Sequence, residues 1–196
     1  MSGETVEQPE DDSKPILILV SGMPASGKST LAEQLAAELH IPFFTKDGIK
    51  ELLFDAEEVD TSELDEETSE RLGAQAITVL YHIAQHILDA GGSALLEANF
   101  RAKLTRTQIE PFRSLAIVRQ VACQLPMDTI VERFEERQDG DDRHPVHTAV
   151  DDVQQLVEDL ERKDYSPIPD LPTLLVDTSD GFDPPLAEIA RFCREG

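Results

Sequence analysis

Gly22, Gly27, Lys28 and Ser29 occupy the fixed positions of the spacing G-x-x-x-x-G-K-[ST], within the stretch "SGMPASGKST". Chemistry dictates that spacing. Glycines let backbone N–H groups turn inward around a phosphate, and the N-terminus of a following helix adds partial positive charge. The lysine then reaches the β- and γ-oxygens of a nucleoside triphosphate, and the next hydroxyl takes Mg²⁺. With glycine at about 7% of residues, a chance match in a chain of this length is on the order of 1%. Gly22, Met23, Pro24, Ala25, Ser26, Gly27, Lys28, Ser29 and Thr30 therefore read as a nucleotide-binding loop. In that reading Lys28 acts on the transferring phosphoryl group and Ser29 on the metal.

Other residues could join the chemistry. Asp47 follows the short apolar run "IPFFT". Open α/β sheets bind ligands at that end of a strand. Its carboxylate could take a proton from an acceptor hydroxyl, could cap the next helix, or both. Glu97 closes the run "ALLE" and reads either as a metal-binding acid or as a strand-end acid in solvent. Arg133 and Arg137 lie four apart on one helix face, among Glu132, Glu135 and Glu136, which offer ordinary surface ion pairs. His144 and His147 flank "PV" with no third ligand nearby, too few groups for a zinc site. His82 and His86 read as packing or surface residues.

The elements that must position these groups alternate along the chain. "ILILV" (Ile16–Val20) predicts a strand buried on both faces, and Lys28–His40 a helix with Leu31, Leu35 and Leu39 in phase. Strands follow at Ile41–Thr45, Ser93–Asn99, Ile117–Leu125 and "TLLVDTS". Helices are expected from Asp47 to about Phe54, at Arg71–Ala90 up to Gly91-Gly92, from Lys103 to about Arg113, at 126–138, 148–163 and 185–195. Residues 1–14 read as a disordered acidic tail and residues 15–196 as one domain. Residues 55–70 carry nine acids in sixteen and read as an exposed, mobile flap, with the loop 139–147 also mobile. Strict alternation argues for a mostly parallel sheet covered on both faces.

Composition bounds the partners. Forty acidic against 17 basic residues give a formal charge of −23, a field that repels nucleic acid and anionic membranes. Cys123 and Cys193 read as buried thiols of a reducing compartment. No basic-plus-apolar leader and no membrane-length apolar run is visible, so the chain reads as a cytoplasmic protein.

The order "GMPASGKSTLAEQLAAEL", "FFTKDGIKELL", "LLEANFR", "ERFEERQ…RHPVH" and "LLVDTS" resembles the small AAA-type P-loop ATP-binding proteins of the kinase-like branch. These include zeta toxin, chloramphenicol phosphotransferase, gluconate kinase and polynucleotide 5′-kinase domains. The resemblance spans about residues 15–180. It implies an α/β fold: a P-loop NTPase three-layer α/β/α sandwich with a five-stranded parallel sheet and a helical lid over 126–147. It also implies ATP and Mg²⁺ as cofactors, Asp47 as catalytic base and Glu97 as a metal residue beside Ser29. Arg133 and Arg137 become lid arginines, Arg137 also touching the nucleotide, with Arg143 a third candidate. Asn99, Phe100 and Arg101 then face the acceptor, and Asp177 becomes part of the base-pocket wall. Val146 stands where a glycine is common among these relatives, implying a stiffer lid loop.

The expected activity is transfer of the γ-phosphoryl group of ATP to a hydroxyl-bearing small molecule. Two alternatives compete. A polynucleotide 5′-hydroxyl kinase needs a basic groove, which the net charge disfavours. A slow ATP-hydrolysing switch would use the acidic 55–70 run as its partner surface. Guanine specificity lacks its "NKxD", and no ring-ATPase lid domain follows.

Overall fold

The computed structural model describes residues 14–58, 64–138, 144–147 and 153–195. Five parallel strands form one sheet in the order β2-β3-β1-β4-β5. They are β1 (Ile16–Ser21), β2 (Phe43–Thr45), β3 (Ala94–Glu97), β4 (Ile117–Gln124) and β5 (Thr173–Asp177). The helices are α1 (Lys28–Leu39), α2 (Lys46–Ala56), α3 (Glu66–Asp89), α4 (Ala102–Gln108), α5 (Met127–Gln138), α6 (Val153–Arg162) and α7 (Leu186–Arg194).

The continuous apolar run of β1 explains the three layers. Successive side chains alternate across a strand, so a strand covered on both faces needs no polar partner for either. Leu17 and Leu19 enter one core with Leu80 and Leu88 of α3, Ile109 and Phe112. Ile18 and Val20 enter the opposite core with Leu31 and Leu35 of α1 and Ile189 and Cys193 of α7. All four β1 residues are fully buried. Each is worth roughly 1.5–3 kcal/mol relative to exposure. Cys123 and Cys193 are free and buried in that second core.

Because β3 lies between β1 and β2, the chain leaves β1 and returns one strand further out. This brings the carboxyl ends of three strands side by side: Val20 pairs with Glu97, and Glu97 with Thr45. The phosphate loop and Asp47 therefore flank Glu97.

Several expectations need correction. Thr45, not Asp47, caps α2: its hydroxyl accepts from Gly48 N at 3.0 Å, which places Asp47 in the first turn. The acidic 55–70 run is no continuous flap. Residues 55–56 complete α2, and 66–70 open α3 behind the Asp65 cap, which accepts from Thr68 N at 2.8 Å. Acids in a first helical turn complement the helix dipole, so the charge density that suggested a loop favours a helix start. Leu64 packs on the Phe54–Leu72–Val146 cluster. Val146 is fully buried there, which anchors the 3₁₀ segment Pro145–His147. The helix expected at 103–113 ends at Gln108, and a 3₁₀ segment, Glu110–Ser114, follows with Pro111 in its first turn. The tail residues 1–13, the centre of the acidic run (59–63), Arg143 and residues 148–152 lie outside the described residues.

Candidate functional site

The loop between β1 and α1 is built on backbone conformations that side chains rarely adopt. Gly22 has φ 148°, and a Cβ there would sit 2.7 Å from Ser26 Oγ and 2.8 Å from the Cys123 carbonyl oxygen. Gly27 has φ 76° and caps α1 in the left-handed region. Thr178, just past β5, donates its hydroxyl to the Ser26 carbonyl at 2.8 Å and pins the loop from below. Ala25 packs against Ile130 and Phe134 of α5 and Leu156 and Leu160 of α6, so both helices rest on the phosphate loop.

Lys28 is buried, and its ammonium donates to the Met23 carbonyl at 2.9 Å. It also lies 4.0 Å from Glu97 Oε1. The Ser29 hydroxyl donates to Glu97 Oε2 at 3.2 Å. Burial pushes the Glu97 carboxyl above its ordinary range, Lys28 opposes that push, and Asp47 adds to it.

Asp47 opens into the cavity rather than into the core, with 52% of its side chain exposed. The surrounding protein raises its pKa, but Lys46, His147, Lys28 and Lys50 outweigh that effect and hold the carboxyl below its ordinary value. Lys46 Nζ lies 3.6 Å from Asp47 Oδ1. Asp47 is therefore an anion at neutral pH, fit to orient a hydroxyl and receive its proton.

A cavity of about 1030 Å³ begins at Lys28 and Ser29 and runs past Asp47 to Asn99, Phe100 and Arg101. Tyr81, Ile77 and Leu104 give it an apolar side, and Lys46, Lys50 and Lys163 a basic one. The loop, Asp47, Asn99, Phe100 and Arg101 are thus brought to one chamber. Arg133 is placed elsewhere. Its guanidinium donates to the carbonyls of Thr178 at 2.9 Å and Ser179 at 3.1 Å, beside Gly27, and among the described residues no carboxylate pairs with it. The surface ion pairs weighed for it are therefore not what holds it. Arg137 stands on α5, but its side chain lies outside the described residues. Asp177 lies off the cavity, its carboxylate accepting from Ser179 N at 2.7 Å. His144 faces Asp55 at 3.2 Å, while His147 lines the cavity and meets Glu51 at 2.8 Å.

Sequence reasoning passed over Lys46, Lys50 and Tyr81. The missed signal is the i, i+4 pair Lys46 and Lys50 bracketing Asp47, which puts two cations on the same helix end as the acid.

The donor set fits the groups that the loop implies. Ser26 Oγ is buried without a hydrogen-bond partner among the described residues, within a loop where Gly22 leaves no room for a Cβ. Ser29 and Glu97 offer two adjacent oxygens, which suits Mg²⁺, an ion that keeps most of its waters and takes few protein ligands.

A family model for the AAA domain matches residues 17–160. The chain belongs to the AAA-domain family. A candidate kinase from Chloroflexus aurantiacus is 36% identical to this AAA-domain protein, with 93% of this chain and 98% of that chain covered and a TM-score of 0.80. Chaetomium thermophilum Kti12 in complex with ADP-AlF3 shares 19% identity over 92% of this chain and 100% of that one, at TM-score 0.64. A gluconokinase from Sinorhizobium meliloti shares 19% over 93% and 91%, at 0.56. The last two likenesses concern the fold. Among curated proteins none matches this chain. The AAA-domain protein has the P-loop NTPase α/β architecture of the kinase-like branch. No helix among its described residues is long and apolar enough to cross a membrane.

Proposed function

We propose that this AAA-domain protein is an ATP-dependent phosphotransferase that moves the γ-phosphoryl group to a hydroxyl of a small molecule. The observation that carries the reading is the single chamber shared by Lys28, Ser29 and Asp47. Phosphoryl transfer is mostly positioning and charge neutralisation, and a chamber lined by cations beside the phosphate loop suits both. A nucleotide switch needs no such chamber. The 36%-identical candidate kinase supports the same reading.

In this reading the loop's backbone N–H groups and Lys28 hold the β- and γ-oxygens. Ser29 and Glu97 hold Mg²⁺, which when bound neutralises charge on the phosphates. Asp47 accepts a hydrogen bond from the acceptor hydroxyl and orients its oxygen toward the γ-phosphorus. A new bond forms between that oxygen and phosphorus while the bond from phosphorus to the β–γ bridging oxygen breaks. ADP keeps that electron pair, and the hydroxyl proton passes to Asp47. Arg133 stands beside Gly27, from where it would carry its charge toward the phosphates, and Arg137 is its proposed partner from the same helix.

The test is γ-labelled ATP incubated with pools of hydroxylated metabolites, reading label transfer in the parent and in Asp47→Asn. Label moving to a small acceptor, and lost in the variant, supports the reading. Label released only as inorganic phosphate, equally in both proteins, overturns it.

A further inference from the structure

The distribution of cations around the cavity is out of proportion to the chain. The sequence holds only six lysines among 196 residues and a formal charge of −23. Four of the six, Lys28, Lys46, Lys50 and Lys163, line this one cavity, and Arg101 adds a fifth cation. Lys28 belongs to the nucleotide. The others surround the space where the acceptor must lie.

The cavity's own carboxylates have partners. Asp47 faces Lys46 at 3.6 Å, Glu51 meets His147 at 2.8 Å, and Glu70 faces Arg101 at 3.9 Å. Lys50 stands apart. It is 6% exposed, and its ammonium donates to two neutral oxygens, Ser69 Oγ at 2.7 Å and the Val146 carbonyl at 3.2 Å. Among the described residues no carboxylate lies within ion-pair distance of it. An ammonium has three donors, so these two bonds leave one. Burying a cation without a counter-charge is costly, and a neighbouring cation raises the cost. Burial first, and then Lys46, push the Lys50 pKa down to about 8, against the pull of Asp47. If Lys50 only braced α2 against α3 and the lid, a neutral side chain would do so more cheaply.

Resting on the phosphotransferase reading above, we propose that the acceptor carries an anionic group, a carboxylate or a phosphate, which docks on Lys50 and Lys46 beside Asp47. Lys50 and Lys46 are then specificity-determining residues. An anion at this point supplies the counter-charge that Lys50 lacks and holds the hydroxyl at a fixed distance from Asp47. Across the cavity, Ile77, Phe100 and Leu104 receive the acceptor's carbon skeleton. The Tyr81 hydroxyl faces Thr105 without a hydrogen bond of ordinary geometry, and it offers a further donor to an oxygen carried on that skeleton. The strongly acidic exterior repels a polyanion at long range, which favours a compact anion over an oligonucleotide end.

The experiment uses the full chain with Mg²⁺ and γ-labelled ATP against four acceptor sets. These are hydroxy acids (glycerate, glucuronate, quinate), sugar phosphates (glycerol 3-phosphate, glucose 6-phosphate), neutral compounds (glycerol, glucose, uridine) and a 5′-hydroxyl oligonucleotide. Melting temperature with a non-hydrolysable ATP analogue is read on the same sets. Label and stabilisation are expected with an anionic small-molecule set, and which one responds separates carboxylate from phosphate. Lys50→Met should raise KM for that acceptor roughly 10- to 100-fold, the worth of a charged hydrogen bond, with KM for ATP unchanged. Lys50→Arg should restore part of the loss. Lys46→Gln gives the same reading if Lys50→Met fails to fold. Label confined to the neutral compounds or to the oligonucleotide overturns this inference and leaves the phosphotransferase standing. Stabilisation by anions without label in any set overturns the phosphotransferase reading, and with it the acceptor role, and leaves Lys50 and Lys46 as an anion-binding pair only. Anions that neither gain label nor stabilise, or an unchanged acceptor KM in the folded variants, also overturn the inference.

Discussion

The Ser29 hydroxyl donates to the Glu97 carboxylate at 3.2 Å, although 68 positions separate them. Parallel pairing of Val20 with Glu97 creates this relationship, and it sets a strand-end acid beside the phosphate loop. Glu97→Gln removes the charge and keeps the shape. Mg²⁺-dependent ATP binding should weaken about 10- to 100-fold, as loss of a charge-assisted contact does. The sign of the pH effect follows from the raised pKa of the buried acid. Between its ordinary value of 4.5 and the raised one, the folded protein binds the extra proton, so Glu97 lowers stability as pH rises through that window. The nucleotide-free variant should therefore lack this decline above pH 4.5. Thermal melts against pH, beside calorimetry with and without Mg²⁺, check both outcomes.

Asp47→Asn should leave ATP affinity nearly intact and lower transfer roughly 10²- to 10⁴-fold, the usual worth of a positioned general base. The loss should lie toward the smaller end if the transition state is loose. Since Thr45 caps α2, the change removes no helix cap. The Asp47 carboxyl is held below its ordinary 3.8, so its acid limb in kcat/KM should fall below that pH, and loss of activity centred near pH 6 would assign the base elsewhere. Transfer rates over pH in both proteins settle the point.

Lys28→Ala should cost about 10²- to 10³-fold in turnover, the scale for removing one electrostatic stabiliser of the transition state. The fold should persist, because Lys28 contacts the Met23 carbonyl and Glu97 rather than the apolar core. Matched circular dichroism with unchanged turnover would count against the role.

Gly22→Ala places a methyl group 2.7 Å from Ser26 Oγ and 2.8 Å from a backbone oxygen, at a φ that alanine rarely adopts. We expect a loss of about 1–3 kcal/mol in stability from overpacking. ATP affinity should fall at least about tenfold as the loop shifts. Denaturant unfolding and calorimetry measure the two effects separately.

Val146→Gly installs the residue common among the resembling proteins. Here Val146 is fully buried against Phe54 and Leu72, and its carbonyl holds Lys50 at 3.2 Å. The change should cost roughly 2–3 kcal/mol, combining a lost buried side chain with added chain freedom. Hydrogen exchange at residues 144–147 should quicken, and an unaltered exchange rate would show that Val146 does not anchor the segment.

What the sequence determined by itself is local. The phosphate loop was legible because Gly22, Gly27, Lys28 and Ser29 act through backbone conformation and a helix start, all inside ten residues. The sheet was legible because "ILILV" admits only burial on both faces. Even Asp47 was marked by its place after an apolar run. The tertiary structure decided what depends on distance. Glu97 read as a solvent acid or a metal residue, and strand order buries it beside Ser29. Thr45 took the cap from Asp47 through one hydrogen bond, and so freed the carboxylate to face the cavity. The two ends of the acidic run, 55–56 and 66–70, joined helices, the second because a first helical turn welcomes negative charge and Asp65 could cap it. Lys50 became a buried cation only where α3 and the segment Pro145–His147 packed around it, since desolvation and pairing are properties of the surroundings and not of the residue.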